Sequence, residues 1–425
     1  QSGSILYEGQ PLPQLTARRQ AAEIGFVGQN PDNQLVTDKV WHELAFGLEN
    51  LGESSDLIRR RVSETAAFFG MQTWFDRSVD TLSGGQKKLL NLASVVVMQP
   101  AVLLLDEPTA QLDPIASANL IQMIEKIHRE LGTTIIMVEH NLEGLLSSAD
   151  RLVILENGQV RADDRPRAVG EALRTETAPV LSIMPATLQL YAQLGDGSGC
   201  PLTVEEGQRW LEKTAAPRSW QQPKDWAEEK KLAAEPVLAA HDVWFRYDRE
   251  QPDVLRGLSL TIQKGEWYAL VGGNGTGKST LLLTLAGAAP FRGEIVKARS
   301  LRLALLPQDQ QLLFSRKTVQ LELADAFTGS TLPAAVREAA LAEVSRLCEL
   351  DAFAQRHPYD LSGGEQQKLA LAKVLLLKPD LLLLDEQGKG VDALFKTKMG
   401  QLLKTLQRQG MTIVMVSHDL TFCAE

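Results

Sequence analysis

The sequence predicts an α/β fold that occurs twice along the chain, each copy with a mainly parallel sheet at its core. Two apolar runs, Val102–Leu105 and Leu381–Leu384, contain no polar residue and are each followed by a pair of acids. Such runs are typical of strands buried on both faces of a parallel sheet. A glycine-rich segment, Gly272–Ser279, lies between a short apolar strand and a helical pattern, which is the order found in phosphate-binding α/β domains.

The duplication is visible as landmarks that keep one register. Four pairs of equivalent residues are separated by 279 residues or, in the last pair, by 278: Ser83 and Ser362, Gln29 and Gln308, Asp106 and Asp385, His140 and His418. The same offset would place the counterpart of Lys278 before residue 1, so the first copy has no glycine-rich loop in this chain. We expect the chain to be a fragment of a longer tandem protein; the alternative is a natural chain that dispenses with its first loop.

The register also suggests domain boundaries. We expect a first domain over residues 1–171, a linker over 172–234 and a second domain over 235–425, the first lacking its beginning and the second its end. The linker carries prolines, a Gly-rich cluster at 195–199 and a Lys/Glu-rich stretch near Trp226. The apolar stripe Leu181–Leu194 within it is expected to pack on a neighbouring element.

Composition limits the classes of function. The chain has 425 residues, enough for two or three domains, and its formal net charge of −9 is unfavourable for binding nucleic acid through phosphates. No apolar run reaches the ~18 residues of a membrane-spanning helix, so a membrane role would require a partner. The three cysteines, Cys200, Cys348 and Cys423, match neither a metal site nor a disulfide framework, which is typical of a reducing cytosol.

The glycine-rich segment has the pattern of a P-loop. Its glycines let backbone N–H groups surround phosphates, and the helix that follows adds the positive end of its dipole. Lys278 would neutralise phosphate charge and the Ser279 hydroxyl would ligate Mg²⁺. The predicted nucleotide-binding residues here are Gly272, Gly273, Asn274, Gly275, Thr276, Gly277, Lys278, Ser279 and Thr280.

The acid pairs and the repeated Leu-Ser-Gly-Gly segments complete the chemistry. In Asp106–Glu107 and Asp385–Glu386 the first acid can hold the Mg²⁺ shell, and the second can orient or deprotonate an attacking water. Each Leu-Ser-Gly-Gly segment opens a helix, where a hydroxyl and glycine N–H groups form a second anion-binding nest. The nest residues are Ser83, Gly84, Gly85 and Gln86 in the first copy, and Ser362, Gly363, Gly364 and Glu365 in the second.

This set of motifs resembles the ATP-binding cassette (ABC) family over almost the whole chain apart from the linker. The resemblance implies two P-loop NTPase domains, each with a helical subdomain, that bind ATP and Mg²⁺ and hydrolyse ATP. The resemblance identifies the Leu-Ser-Gly-Gly segments as signature motifs and Asp113 and Asp392 as D-loop acids. It also implies that Tyr247 is the aromatic residue that stacks on adenine. The remaining implied roles are Q-loop glutamines, with Gln308 near the metal, and switch histidines: Gln29, Gln308, His140 and His418.

In this family two domains pair head to tail, within one chain or between chains, and each ATP lies between the P-loop of one and the signature of the other. The resemblance therefore implies two unequal sites. The complete site would combine Lys278, Ser279, Thr280, Gln308, Asp385, Glu386 and His418 with Ser83, Gly84, Gly85, Gln86 and Asp113. The other site would have Gln29, Asp106, Glu107, His140 and the second signature, without a P-loop from this chain.

Within the family, Asn30–Gln34 after Gln29 and Glu43–Asn50 resemble the energy-coupling-factor importers of vitamins and transition-metal ions. This implies an ATPase on the cytoplasmic face of the cell membrane, bound to a transmembrane coupling protein and a substrate-capturing membrane component. Nucleic acid is not expected as a partner. The second half departs from the family pattern at Gln387–Gly390 and at Glu365, which puts efficient cross-talk at the incomplete site in question.

Two other functions share these nucleotide motifs. A soluble tandem ABC protein that acts on ribosomes or DNA would carry all of them, although the net negative charge and Asn30–Gln34 disfavour it. A regulatory nucleotide-binding module without useful turnover is suggested by the missing first P-loop and the altered segment after Glu386. The transported solute cannot be read from the sequence, because in such importers a separate membrane component captures it.

Overall fold

The computed structural model describes residues 3–110, 112–156, 158–174, 181, 184–195, 197, 199–215, 235–386, 393–417 and 423. The chain divides into two compact units, residues 1–217 and residues 218–425. No helix in the described ranges is both long enough and apolar enough to cross a membrane.

Unit 1 is built around a parallel sheet with the strand order β3-β4-β5, flanked by a short β1-β2 hairpin and a separate β6-β7 hairpin. Its strands are β1 Leu6–Tyr7, β2 Gln10–Pro11, β3 Ile24–Val27, β4 Val102–Asp106, β5 Thr134–Val138, β6 Leu152–Glu156 and β7 Gln159–Asp164. Its helices are α1 Ala17–Glu23, α2 Val40–Asn50, α3 Ser55–Phe68, α4 Gly84–Val96, α5 Pro114–Leu131, α6 Pro166–Leu173, α7 Ala186–Leu194 and α8 Val204–Ala215.

Local sequence signals account for where these helices begin and end. Ser54 accepts a hydrogen bond from the Leu57 N–H at the start of α3. Helix α5 begins after Asp113 with a proline in its first turn and ends at Gly132, whose φ of 69° is the left-handed conformation that glycine adopts at low cost. Helices α2, α3, α4 and α5 contribute buried apolar residues to one core together with β3 and β4.

The end of unit 1 forms a small cluster of its own. Tyr191 and Leu188 of α7 are almost fully buried and pack with Ile154 of β6 and Trp210 of α8. The described part of the apolar stripe, from Met184 to Leu194, therefore packs against neighbouring elements, as the sequence predicts. Cys200 lies in the same cluster, where burial raises the pKa of its thiol to about 11, so it is an unreactive core thiol.

An ion pair between Arg167 and Glu206 lies beside this cluster, and it predicts how the stability of the fold depends on pH. Arg167 lies 2.7 Å from the Glu206 carboxylate, which also accepts the Leu202 N–H, and these bonds lower the pKa of Glu206 to about 2. The ionised form is favoured by the fold, so its stabilisation is complete above pH ~4.5 and declines as the pH falls towards 2. We expect Glu206→Gln to lower the free energy of unfolding by about 1–2 kcal/mol at pH 7, after allowing for solvent screening.

Urea unfolding followed by tryptophan fluorescence, to which the buried Trp210 contributes, measures this difference. The matched control is Glu205→Gln, because Glu205 is exposed and forms only a surface pair with Arg209 at 3.3 Å. Wild type and Glu206→Gln should converge near pH 2. An undiminished difference at that pH would contradict the assignment to the ionised carboxylate.

Unit 2 combines a parallel sheet of order β10-β14-β13-β12 with an antiparallel sheet of order β11-β8-β9. Its strands are β8 Pro236–Phe245, β9 Leu255–Gln263, β10 Trp267–Leu270, β11 Arg292–Lys297, β12 Leu303–Leu306, β13 Leu381–Asp385 and β14 Thr412–Val416. Its helices are α9 Lys278–Ala286, α10 Val319–Asp325, α11 Ala334–Leu347, α12 Gly363–Leu375 and α13 Ala393–Arg408.

The prediction of a strand buried on both faces is confirmed in unit 2. Every residue of β13 and β14 is buried. Leu382 and Leu384 face the core shared with α12, whereas Leu381 and Leu383 face the core formed by α9 and the antiparallel sheet. Cys348 is buried in the first of these cores, and burial raises the pKa of its thiol to about 12.

For the equivalent strand of unit 1 the same prediction is wrong. In β4 only Leu103 and Leu105 are fully buried, and β5 exposes Ile136 and Val138, each 56% accessible. Their counterparts Val414 and Val416 are 1% and 0% accessible. The physical reason is that α9 and the antiparallel sheet cover this face in unit 2, whereas no described element of unit 1 covers it.

Candidate functional site

The P-loop of unit 2 lies at the end of strand β10, between that strand and α9. Gly275 and Gly277 have φ values of 77° and 93°, a region in which a residue with a Cβ is strained. A Cβ at Gly277 would also lie 2.9 Å from Val254 Cγ1. These glycines allow the turn to place the first N–H groups of α9 around an anion. The predicted strand–loop–helix order is confirmed.

Lys278 and Ser279 lie at the start of α9. Lys278 Nζ donates to the carbonyl oxygens of Gly272 (2.9 Å) and Gly273 (2.7 Å), so the ammonium closes over the loop. Ser279 Oγ donates to Asp385 Oδ1 at 3.0 Å. A hydroxyl beside a carboxylate supplies the hard oxygen donors that suit Mg²⁺ when phosphate oxygens and water complete the shell.

That donor set fits a metal held jointly with a nucleotide. Within the described ranges no group of three or more His, Cys, Asp or Glu side chains could hold a metal ion. Mg²⁺ commonly uses one or two protein ligands together with substrate phosphates, which agrees with this arrangement. The predicted positions of Ser279 and Asp385 are thus adjacent, as a shared metal shell requires.

Asp385 and Glu386 are buried at the carboxyl end of β13, where sites of parallel α/β sheets lie. The Glu386 N–H donates to Val416 O at 3.0 Å, and Glu386 has a φ of 47°. Glu107 repeats this geometry with a φ of 44° and a bond of 3.0 Å to Val138 O. A left-handed glutamate is uncommon and costs about 1–3 kcal/mol, and the two units share this conformation at the equivalent position.

In unit 1, Glu107 is held by two other predicted site residues. Gln29 Nε2 donates to Glu107 Oε2 at 2.8 Å, and His140 Nε2 lies 2.9 Å from Glu107 Oε1. Gln29 follows β3, Glu107 follows β4, and His140 follows β5. The glutamine, the acid and the histidine therefore lie together at the carboxyl ends of three neighbouring parallel strands. Asp106 lies directly before this acid at the end of β4.

The two signature segments open α4 and α12 with the same capping box. Ser83 accepts the Gln86 N–H while Gln86 Oε1 accepts the Ser83 N–H, and Ser362 and Glu365 do the same. Ser83, Gly84, Ser362 and Gly363 are exposed, whereas Gly85 and Gly364 are partly covered. Asp113 caps α5 by accepting the Ala116 N–H at 2.8 Å.

Tyr247 and Gln308 are placed differently from the acid pair. The Tyr247 hydroxyl lies 2.9 Å from Thr280 Oγ1, and its ring meets Phe245 edge to face with centroids 4.9 Å apart. Tyr247 is 66% accessible, so one face is open for a base. Gln308 is exposed, and no hydrogen bond joins it to the acid pair within the described ranges. His418, Asp392 and Gln387–Gly390 lie outside the described residues.

Sequence reasoning missed two charged residues that hold the loop after Glu107. Lys88 is buried, and its Nζ is bonded to backbone carbonyl oxygens of residues 107–110. Glu139 accepts the Thr109 N–H at 2.7 Å. Two signals were available in the sequence. Lys88 lies on the same face of α4 as the apolar Leu92 and Val95, and Glu139 is an acid at the position where the second copy has Ser417.

Comparison with known proteins agrees with this arrangement. The family model described as "ABC transporter" matches residues 1–110 and 255–388. A protein of Bacillus thuringiensis that bears the name of an ABC transporter ATP-binding protein is 40% identical over 436 residues, covering 100% of this chain and 78% of its own. A similarly named protein of Clostridium tetani is 31% identical over 397 residues, covering 90% and 86%.

Among solved structures, the archaeal ribosome recycling factor aABCE1 in complex with the ribosomal stalk protein aP1 has a TM-score of 0.59. It is 23% identical and the match covers 94% of this chain and 69% of that one. At this identity the likeness concerns the fold alone. Together with the family model, it confirms α/β domains of the P-loop NTPase class.

Proposed function

Because the chain belongs to the ABC transporter family of ATP-binding proteins and is therefore an ATPase, we propose that it powers a membrane importer of the energy-coupling-factor type, for a vitamin or a transition-metal ion. The proposal places the protein on the cytoplasmic face of the cell membrane. Its partners are a transmembrane coupling protein and a substrate-capturing membrane component.

The observation that carries this proposal is the way Asn30–Gln34 joins the Q-loop to the signature helix of unit 1. Gln34 Oε1 accepts the Gly28 N–H at 2.6 Å and the Asn91 amide at 2.9 Å. Asp32 Oδ1 pairs with Lys87 Nζ at 2.6 Å. A displacement at Gln29 would therefore be passed directly to α4, which is what an ATPase that drives a partner requires.

Unit 2 has a weaker version of this connection. There, Gln311 and Gln366 occupy the positions of Asp32 and Lys87, and their amides are joined by a bond of 3.4 Å. An ion pair in unit 1 thus corresponds to a long neutral bond in unit 2. This difference supports unit 1 as the half whose motion is more tightly coupled to the partner.

Large apolar side chains beside the Q-loop segment support a partner helix as the docked element. Val36, in the loop, and Trp41 and Phe46, on α2, are exposed. Exposed aromatic and aliphatic side chains commonly receive the apolar face of a short helix. We propose that the coupling helix of the membrane partner docks between this segment and the helical subdomain that contains α3, residues 52–82, with the equivalent region 330–361 in unit 2.

The uncovered sheet face of unit 1 supports a further part of the proposal. Phe26, Ile136 and Val138 expose apolar surface at positions whose counterparts in unit 2 pack beneath α9 and the antiparallel sheet. We propose that a P-loop-bearing segment covers this face in the whole protein, and that the domains are residues 1–171 and 235–425 with a linker over 172–234.

The proposed mechanism gives each predicted site residue a role. Mg²⁺, when bound, lowers the cost of charge on the phosphates, and Ser279, Asp385 and Gln308 would hold it. Lys278 and the α9 N-terminus bind the phosphates, and Glu386 accepts a proton from the attacking water. The family resemblance assigns contact with the terminal phosphate to His418. We propose that residues of unit 1, from the same chain or from a second copy, complete this site. These residues are Ser83, Gly84, Gly85, Gln86 and Asp113.

A second candidate is a soluble tandem ATPase that acts on ribosomes. The observation that favours it is the fold likeness to aABCE1, which covers 94% of this chain. The formal net charge of −9 is unfavourable for a surface that must approach ribosomal phosphates. We therefore prefer the importer.

Affinity purification of the whole protein from gently solubilised native membranes tests this preference. We expect a polytopic membrane protein and a small substrate-capturing membrane component to be recovered in amounts comparable to the ATPase. A Trp41→Ala/Phe46→Ala variant should lose both partners, because it removes apolar surface that is proposed to bind the partner helix. The control is Leu131→Ser on α5, which replaces an exposed apolar side chain by a polar one away from this surface and should retain both partners. Recovery of ribosomal proteins without a membrane partner would overturn the importer proposal and leave the ATPase in place.

A further inference from the structure

A buried cation at the start of the signature helix is not used by the mechanism above. Lys88, the fifth residue of α4, is 8% accessible. Its Nζ lies 3.4 Å from Glu107 O, 2.9 Å from Pro108 O and 2.5 Å from Ala110 O. The ammonium group is thus surrounded by carbonyls of one short loop. That loop begins at Glu107 and leads to Asp113 at the N-cap of α5.

A carboxylate holds the same loop through its amide. Glu139 Oε1 accepts the Thr109 N–H at 2.7 Å. Burial raises the pKa of the Glu139 carboxyl, the nearby charge of Glu107 adds to this, and the Thr109 bonds and the charge of Lys88 oppose it. Glu139 is the residue before His140, so the contact ties the end of β5 to the loop after β4.

The two charges depend on each other. A buried ammonium or carboxylate is costly unless it is paired and hydrogen-bonded. Here the loop carbonyls satisfy the buried Lys88, the loop amide satisfies the half-buried Glu139, and the opposite charges offset each other across the loop. Removing either charge leaves the other uncompensated, whereas removing both restores neutrality.

The second unit lacks this pair. Gln367 occupies the position of Lys88 on α12, and Ser417 follows β14 as Glu139 follows β5. Both are buried and neither carries a charge. The same fold therefore tolerates a neutral pair at these positions, so the charged pair is a specific feature of unit 1 and is not required for folding of an ABC domain.

We propose that Lys88 and Glu139 are positioning residues that clamp residues 107–110 between the signature helix and the end of β5, and thereby hold Glu107 and Asp113 in place for hydrolysis. The part of this inference that concerns hydrolysis rests on the proposed function. The clamp itself rests on the contacts within unit 1. It connects the three segments that carry the signature, the acid and His140.

Amide hydrogen exchange on the whole protein tests the clamp without relying on ATPase activity. Lys88→Gln and Glu139→Ser should each speed exchange of the Thr109, Ala110 and Leu112 amides by about 10- to 100-fold, because each substitution removes bonds that involve a charged group. The double variant, which carries the residues of unit 2, should exchange more slowly than the product of the two single effects predicts. The exposed-site controls Lys39→Gln and Glu130→Ser should leave this segment unchanged.

Unchanged exchange of the Thr109, Ala110 and Leu112 amides would overturn the clamp. Equal acceleration throughout unit 1 would also overturn it, because it would indicate global destabilisation. In steady-state assays each single variant should lower kcat without changing KM for ATP, and the double variant should recover part of kcat. A loss of ATP affinity in place of kcat would overturn the positioning role. If the wild type itself hydrolyses no ATP, the proposed function fails, while hydrogen exchange still decides the clamp.

Discussion

Lys278→Ala is expected to reduce ATP turnover by the whole protein's second site about a hundredfold to a thousandfold. The Lys278 ammonium lies over the carbonyls of Gly272 and Gly273, where it can neutralise the phosphate charge of a bound nucleotide. Alanine removes that charge and the two bonds to the loop carbonyls, while the glycines and Ser279 are unchanged. Phosphate release at saturating ATP, together with the binding of a fluorescent ATP analogue, measures the effect.

Lys264→Ala is the matched control, because Lys264 is exposed in the turn before β10 and lies away from the P-loop. It should leave both turnover and nucleotide affinity unchanged. Lys278→Ala protein must also keep the wild-type thermal unfolding temperature, since a lower one would indicate damage to the fold. Unchanged turnover and affinity in Lys278→Ala would rule out the P-loop assignment.

Glu386→Gln is expected to lower kcat about 10²- to 10⁴-fold while ATP binding is retained. The substitution keeps the shape of the side chain and the backbone bond of Glu386 to Val416, but it removes the group that can accept a proton from water. Retained binding follows because Lys278, Ser279 and Asp385 are untouched. Single-turnover hydrolysis and equilibrium binding of ATP separate the two effects.

The control for this prediction is Glu294→Gln, an exposed position on β11 that faces no predicted site residue. It should hydrolyse ATP at the wild-type rate. A Glu386→Gln protein with normal kcat would assign the water-orienting role to another group. A protein with normal chemistry but weakened binding would instead move Glu386 into the metal shell with Asp385.

The two units show where sequence patterns were sufficient. The P-loop, the acid pair after an apolar strand and the Ser-Gly-Gly helix start depend on residues that are close in sequence, so local chemistry specifies them. Capping by Ser83 and Gln86 is an example, because the bonds span three residues. The family and the fold class followed from these segments and are confirmed.

Burial of β4 shows where such patterns were insufficient. Val102–Leu105 and Leu381–Leu384 have nearly the same apolar sequence, yet only Leu381–Leu384 is buried on both faces. Burial depends on which elements lie over the sheet, and those elements are distant in sequence. An apolar run predicts that a strand can be buried, but it does not identify the elements that cover the strand.

By itself, the sequence determined the duplicated α/β fold, the P-loop and the ATPase family, because each depends on short segments with strict steric and charge requirements. Only the tertiary structure decided that Gln29 and His140 meet at Glu107, and that Lys88 and Glu139 enclose the loop between Glu107 and Asp113. Those contacts join residues brought together by neighbouring parallel strands, whose order in the sheet is set by packing of the whole unit and by no local pattern.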